Sequence, residues 1–333
     1  MAFNITRRAL VAVFGASLAL TACPAAAEQK TVIKLGWTTS DGATDPYAVG
    51  ARAFKELVEE NSGGRLEVQL FPNRQLGDEK PMIDGMRLGT VDAAIITNAV
   101  IAQVEGSFQL NDLPFLFESE VQAAEVLDGP IGQKLGSNLE SKGIKVLGFM
   151  EGGFRHMINN VRPVEKPDDI LGVKYRVMQN PVFIGMFSSL GGNAVPMAWG
   201  ETFTAVQQGA IDGLEIPLAV IDQNKYFEVA RYLSLTNHTY SAIPLLVSKR
   251  FFDRLPEDLQ QVVTKAGAEA TIRQRAETRA VTEEIITRLE ATGMTVNRVE
   301  DFVPFREAVG SVYEQFRASI GTDLLDETLA AVQ

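Results

Sequence analysis

The chain has 333 residues, with 42 acidic side chains against 31 basic ones and a formal charge of −11. That balance speaks against partners recognised through a basic field, nucleic acid and anionic membrane surfaces above all. A single cysteine leaves no disulfide within the chain and no thiolate metal cluster, and a core of this size folds without either.

Chain order begins with an export leader over residues 1–27. Arg7 and Arg8 open it, residues 9–22 form an apolar run too short to span a bilayer comfortably, and Ala25-Ala26-Ala27 offers a cleavage site before Glu28. Arg7-Arg8 after Thr6 also resembles a twin-arginine signal, and Leu20-Thr21-Ala22-Cys23 fits a site of lipid attachment to the cysteine. Pro24 beside Cys23, with the alternative site at Ala27, favours simple release over a lipid anchor. Cleavage there removes two arginines and no acids, so the mature charge is −13 and no thiol remains. No later stretch is long and apolar enough to be a membrane span.

Residues 31–37 (TVIKLGW) alternate and are β-branched, which predicts a strand. Residues 46–61 set Tyr47, Ala51, Phe54, Leu57 and Val58 near helical spacing and end in Asn61-Ser62-Gly63-Gly64, a helix with its stop signal. Residues 65–71 read as a second strand, 78–88 as a helix closed by Gly89, and 91–96 (VDAAII) as a buried strand. This alternation predicts a parallel sheet with covering helices. The rhythm then restarts, with a helix at 119–142, strands at 145–150 and 171–177, a helix at 182–190, a short strand at 194–196 and a helix at 200–208. Residues 241–248 (SAIPLLVS) predict a strand interrupted by Pro244. Residues 256–292 hold almost no breaker except Gly267, which predicts one helix of roughly 50 Å at 1.5 Å per residue. Such a helix crosses two lobes. Two α/β units joined by crossing segments enclose a cleft, where small ligands usually bind.

Chemistry-bearing motifs are few. There is no glycine-rich phosphate loop, dinucleotide fingerprint, G-x-S-x-G elbow or paired-histidine metal spacing. Arg176, in LGVKYRVMQNP, falls at the carboxyl end of a predicted strand, where ligands gather in open α/β sheets. Its guanidinium suits a carboxylate through two parallel hydrogen bonds, although pattern alone favours a strand-end arginine paired with a surface acid. Arg155, in EGGFRHMINN, follows a strand and two glycines that let backbone approach a ligand, against an ordinary surface role. Trp199 precedes a helix and is either an apolar wall or a cap on the core. Asn237, His238 and Tyr240 cluster in LTNHTYS just before a strand, lining a pocket or satisfying a loop. Glu215, in DGLEIP, either orders an arginine or is solvated.

The segments NRQLGDEKPMIDGMRLGTVDAA, NDLPFLF, PDDILGVKYRV, GGNAVPMAWGETFTAVQQGAIDG and TNHTYS, in this order, resemble the extracytoplasmic solute-binding proteins of TRAP transporters. That family contains receptors for dicarboxylates, sialic acid, sugar acids and other organic acids, and the resemblance runs from Lys34 to the long helix. It implies an α/β, two-lobed periplasmic solute-binding fold with the ligand cleft between the lobes and a long helix spanning both. Lobe I would comprise residues 28–152 plus 242–281, and lobe II residues 153–241 plus 282–333. It puts Arg176 on the substrate carboxylate, Arg155 as a second arginine, and Thr38, Glu79, Thr97, Asn98 and Trp199 at further pocket positions. Sialic-acid-type members carry an asparagine in a DGQEN segment where this chain has Leu214 and Ile216 in DGLEIP. Loss of that amide argues against sialic acid, while Thr38, Glu79, Asn98 and Asn237 suit the hydroxyls of a sugar acid or hydroxy acid. The resemblance further implies a periplasmic monomer without cofactor or metal that hands a small organic acid anion to membrane permease subunits. A receptor signalling to a membrane kinase, and an enzyme using His238 or Glu215, are the alternatives.

Overall fold

The computed structural model describes residues 30–332, so the expected leader with Cys23 lies outside the described residues. Nine strands form one sheet: β1 (Thr31–Gly36), β2 (Leu66–Phe71), β3 (Ala93–Ile95), β4 (Ile144–Asn159), β5 (Lys174–Val177), β6 (Asn193–Pro196), β7 (Gly213–Pro217), β8 (Tyr232–Ser248) and β9 (Thr295–Arg298). Their order is β2-β1-β3-β8-β4-β7-β5-β6, with β9 paired to β8 off this path. The flanks are parallel, β1 with β2 and β3, and β5 with β6 and β7. The middle is antiparallel, β8 running against β3 and β4, and β4 against β7. The expected parallel sheet is therefore mixed.

The antiparallel middle consists of two strands of 16 and 17 residues, about 50 Å each at the rise of an extended chain. One end of the β4–β8 ladder joins the β1–β3 half and the other joins the β5–β7 half, so these strands tie the two lobes together. Sequence reading ends the first of them at residue 150, because Gly152-Gly153 looks like a loop. The structure absorbs both glycines in a bulge: the register slips between Glu151 and Gly153, and Gly153 takes a left-handed φ of 92° that glycine adopts without a Cβ clash. Pro244 likewise leaves β8 unbroken, pairing opposite Phe149 while its carbonyl accepts from Ile96 N at 3.2 Å.

Helix ends follow their capping chemistry. Asp45 accepts from Tyr47 N at 3.0 Å to start Pro46–Asn61, and Gly89, with φ of 80°, closes Glu79–Leu88. The expected helix at 119–142 is two, Glu120–Asp128 and Pro130–Glu140, because Pro130 lacks an N–H and pushes Gly129 into extended backbone. The expected helix at 256–292 also divides, into Glu257–Ala280 and Thr282–Ala291, with Val281 at φ −105° and ψ −1° between them. Thr282 Oγ1 turns back to Thr278 O at 3.3 Å, the kind of side-chain bond that competes with the helical ladder. The first piece is thus about 36 Å long rather than 50 Å. It packs on Pro46–Asn61 and β4, while the second piece packs on Leu218–Gln223.

The apolar interior is two layers, one on each face of the sheet. Ala93 and Ile95 face one layer, and Ala94 and Ile96 face the other, as the period of a strand requires. One layer joins Phe54, Val263 and Ile285 to Leu214 and Ile216, and the other joins Met82 and Leu135 to Phe183, Phe187 and Phe316. The last long helix, Val303–Ile320, touches both the 3-10 turn Gly106–Asp112 and the helix Pro181–Ser189. The end of the chain therefore straps the two halves of the sheet together.

Candidate functional site

Four strand ends meet at one cavity. Thr38 follows β1, Thr97 follows β3, Met178 follows β5, and Ile216-Pro217 closes β7; all five residues line it. This is the carboxyl end of each parallel flank, where loops leave the sheet with backbone and side chains free to meet a ligand. The enclosed volume is about 20 Å³, room for a water molecule or two.

Arg176 is the outstanding group in it. KYRV alternates across the sheet, so Tyr175 enters the core beside Phe187 and Arg176 faces the opposite side. The guanidinium is only 1% exposed. Its Nε and Nη2 both donate to Met197 O, at 2.9 and 2.7 Å, which fixes one edge of the fork. Nη1 is buried and has no hydrogen-bond partner among the described residues. Burial lowers the pKa of Arg176, with nearby acids opposing, but an arginine remains charged. The protein thus holds a desolvated cationic donor that nothing among the described residues satisfies, and an unmet buried donor is costly.

Arg155 also lines the cavity but is in the opposite condition. From β4 it donates through Nε to Glu215 Oε2, through Nη2 to Glu215 Oε1 at 2.9 Å and Glu215 O at 2.6 Å, and through Nη1 to Ser241 Oγ at 3.2 Å. The ring of Phe183 lies 5.3 Å from its guanidinium carbon. Burial alone would raise the pKa of Glu215, yet the charge of Arg155 and hydrogen bonds from His238 and Arg155 hold it below the ordinary range. Glu215 therefore orders an arginine, the first of its two sequence readings. Arg155 faces the cavity as a neutralised pair rather than as a free cation.

Opposite the arginines stands a relay of hydroxyls. Glu79 Oε1 accepts from Thr97 N and Thr97 Oγ1, each at 2.7 Å, and Tyr47 OH lies 2.7 Å from Thr97 Oγ1. Burial pushes the Glu79 carboxyl up to about 7, against the lowering effect of the Thr97 hydrogen bonds. Around neutrality it can accept a hydroxyl proton or donate its own. Trp199, Thr38 and Thr39 complete the polar and aromatic wall, and Ile216 and Val220 the apolar one.

Sequence reasoning placed Arg176, Arg155, Glu79, Thr38, Thr97 and Trp199 at this cavity, and all six line it. Five other candidates do not. Glu215 sits behind Arg155. Asn98 donates to Phe108 O and accepts from Asn111 Nδ2, each at 2.8 Å, pinning the turn below. His238 shares Glu215 Oε2 at 3.4 Å and pairs through Nδ1 with Thr236 Oγ1 at 2.7 Å. Tyr240 donates to Glu151 Oε2 at 3.1 Å between the rings of Phe117 and Phe154. Asn237 is exposed, with φ of 43°, in a separate groove beside His156. The cause is β8: these residues lie inside the strand, not in a loop before it, and alternation turns His238 and Tyr240 toward the other core layer. His238 and Glu215, the residues named for the enzyme alternative, do not line the cavity.

Tyr47, Thr39, Met178, Pro217 and Val220 are lining residues the sequence did not disclose. Tyr47 reads as core because it fits the apolar stripe of its helix. The one available signal was the cap: Asp45-Pro46 fixes the helix start and puts Tyr47 in the first turn, at the end that faces β1.

A cavity roofed by strand ends from both halves of the sheet, with one arginine nitrogen left to meet an anion, defines a two-lobed solute receptor. The chain belongs to the bacterial extracellular solute-binding proteins, family 7 (DctP), whose profile matches residues 38–319. Among curated relatives, the 2,3-diketo-L-gulonate-binding periplasmic protein YiaO of Escherichia coli is 34% identical over 322 residues, 96% of this chain and 97% of that protein. The C4-dicarboxylate-binding periplasmic protein DctP of Rhodobacter capsulatus is 32% identical, over 99% of this chain and 98% of its own. Among solved structures, the sugar acid binding protein DctPAm of Advenella mimigardefordensis in complex with galactonate is similar at a TM-score of 0.88. Its identity is 36%, covering 91% of this chain and 98% of that one. A TRAP periplasmic solute-binding protein of Polaromonas sp. JS666 bound to D-erythronate follows at 0.87 and 36%, covering 90% and 99%.

Proposed function

We propose that this protein is the periplasmic receptor of a TRAP transporter and binds a sugar acid, with the ligand carboxylate on Arg176. The observation that carries the reading is the buried Nη1 of Arg176, a charged donor without a partner among the described residues at a cavity wall. A carboxylate there satisfies it with a charge-assisted bond, while Nε and Nη2 stay on Met197 O. Glu79, Tyr47 and Thr38 supply acceptors and donors for hydroxyls. Ile216 makes one wall apolar. Galactonate and D-erythronate, bound by the similar proteins, are acids of this kind.

The leader at residues 1–27 exports the chain, which acts as a monomer. Lobe I at 28–152 plus 242–281 and lobe II at 153–241 plus 282–333 part to admit the ligand and close on it, since a cavity of about 20 Å³ admits no sugar acid as it stands. The closed form delivers the acid unchanged to the membrane permease, with no cofactor or turnover. Calorimetric titration of residues 28–333 with galactonate, D-erythronate and succinate tests this, followed by recovery of the ligand. Saturable 1:1 binding of a hydroxylated acid, recovered intact, is the expected result. A chemically altered ligand would overturn it.

A further inference from the structure

Beside the inner cavity, and sharing Thr38 and Trp199 with it, lies a more open groove of about 300 Å³. One wall is aromatic, with Trp199 and Phe203 each 5.5 Å from the ring of Tyr226. The same groove is lined by Arg74, from the turn after β2, and Lys225, from the segment after Leu218–Gln223. The two cations thus approach it from opposite sides of the cleft. Among the described residues neither forms a salt bridge or a side-chain hydrogen bond. Asp78, near Arg74, is already engaged by the backbone amides of Glu79 and Gly200. Asp78 offsets part of the charge of Arg74, but the groove lining itself holds two cations and no acid. In a chain of net charge −11, that local positive excess suits an anion.

The backbone points the same way. Asn73 (φ 53°), Arg74 (φ 63°) and Lys225 (φ 57°) are three of the five non-glycine residues in left-handed conformation among the described residues, and all three line this groove. Non-glycine residues rarely adopt that region, and they persist there where surrounding contacts enforce it. Here Asn73 N donates to Thr39 O at 3.0 Å and Arg74 N to Trp37 O at 3.1 Å, so the turn is fastened to the exit of β1. The inner cavity, by contrast, measures only about 20 Å³.

We propose that the groove is an outer anion subsite, and that the substrate is an extended sugar diacid of the aldarate type. One carboxylate meets Arg176, the hydroxylated chain passes between Thr38 and Trp199, and the second carboxylate meets Arg74 and Lys225. This rests on Arg176 as the carboxylate anchor. It goes further by requiring two acidic ends.

Galactarate and galactonate differ only in whether the far end is a carboxylate or an alcohol, which makes them the probes. Titration of the mature chain should show galactarate binding about tenfold tighter or more, as expected for added charge-assisted contacts. The double variant Arg74→Ala/Lys225→Ala changes exposed positions, and an unchanged melting temperature verifies its fold. It should remove the preference while leaving galactonate within about twofold, because neutral contacts at the groove remain. Equal affinities in the parent, or a double variant that weakens both acids alike, overturns the subsite. Arg176→Ala is the separate control: loss of both acids is expected, and retention of both would overturn the anchor instead. If neither acid binds the parent chain, both readings fall.

Discussion

Asp78 caps two helices on opposite walls of the cleft: its Oδ1 accepts from Glu79 N at 2.9 Å, and its Oδ2 from Gly200 N at 3.0 Å. Trp199–Gln207 begins after Ala198, which offers no side-chain cap, so a carboxylate from the other side of the cleft takes that place. On the proposed closure, this contact completes a helix end that is otherwise incomplete. Asp78→Ala should speed ligand release about fivefold, for a cap worth roughly 1 kcal/mol. Loss of the local cap on Glu79–Leu88 should lower the melting temperature of the ligand-free protein by about 2–4 °C. Stopped-flow dissociation checks the first effect; an unchanged off-rate would reduce Asp78 to a local cap.

The two arginines at the cavity should separate binding from stability. Arg176→Ala removes a donor whose Nη1 has no partner, so affinity should fall by about a hundredfold or more with a modest change in stability. Arg176→Lys should not rescue, since an ammonium cannot hold Met197 O and a ligand in one planar fork. Arg155→Ala instead strands the buried Glu215 carboxylate, a change that costs about 3–5 kcal/mol of stability. Chemical denaturation beside calorimetry reads both effects. Equal loss of stability in the two variants would contradict the contrast drawn here.

Residues whose roles are set by a local pattern were legible in the sequence, and those set by long-range register were not. Local pattern put Arg176 at a strand end, and the family resemblance of KYRV, not the pattern, singled it out as the carboxylate anchor. The alternation of residues 31–37 and the stop at Gly89 fixed elements through local pattern. His238 and Tyr240 were misplaced because only pairing with β4 extends β8 back to Tyr232, and the direction of each side chain follows from that pairing. The arginine pair with Glu215 spans sixty positions of sequence, so DGLEIP alone left two readings open. The cores eluded sequence logic altogether. Two α/β repeats suggest a core per lobe, whereas a continuous sheet separates the interior by face.

Acid should stabilise the ligand-free protein between pH 8 and about pH 6.5, below which the buried His156 and His238, held neutral by desolvation, begin to oppose it. Burial raises Glu79 from 4.5 to about 7, Asp45 from 3.8 to about 6 and Asp112 from 3.8 to about 8. A carboxyl raised in the folded state binds its proton more tightly there than in the unfolded chain. Its cost is absent below the unfolded value, grows as pH rises through the interval, and is complete above the folded value. For Glu79 the full cost is about 3 kcal/mol. Glu79→Gln should therefore flatten the stability profile between about pH 4.5 and 7, while Asp112→Asn acts up to about pH 8. Denaturant midpoints across that range measure it. A profile rising from about pH 6.5 to 8 would contradict the assigned burial effects.

Asn224 gives the same chemistry a direct use in closure. Its Oδ1 accepts from Ser40 N at 3.0 Å, and its Nδ2 donates to Asp45 Oδ2 at 3.2 Å, joining the segment after Leu218–Gln223 to the loop that carries Thr38 and Thr39. Asp45 is fully buried and also accepts from Thr39 Oγ1 at 2.8 Å. Asn224→Asp keeps the size and the acceptor for Ser40 but sets one carboxylate against another. At pH 7.5 the pair repels, and ligand affinity should drop by about tenfold, as for two close like charges in a partly desolvated site. Asp45, already raised to about 6, takes up a proton as pH falls to 5.5 and becomes the donor that the amide was. Affinity in the variant should then recover toward that of the parent at the same pH, whereas Asn224→Ala should show no such recovery. Titrations of all three proteins at both pH values decide it, because a latch without the Asp45 contact would leave the two variants equally insensitive to acid.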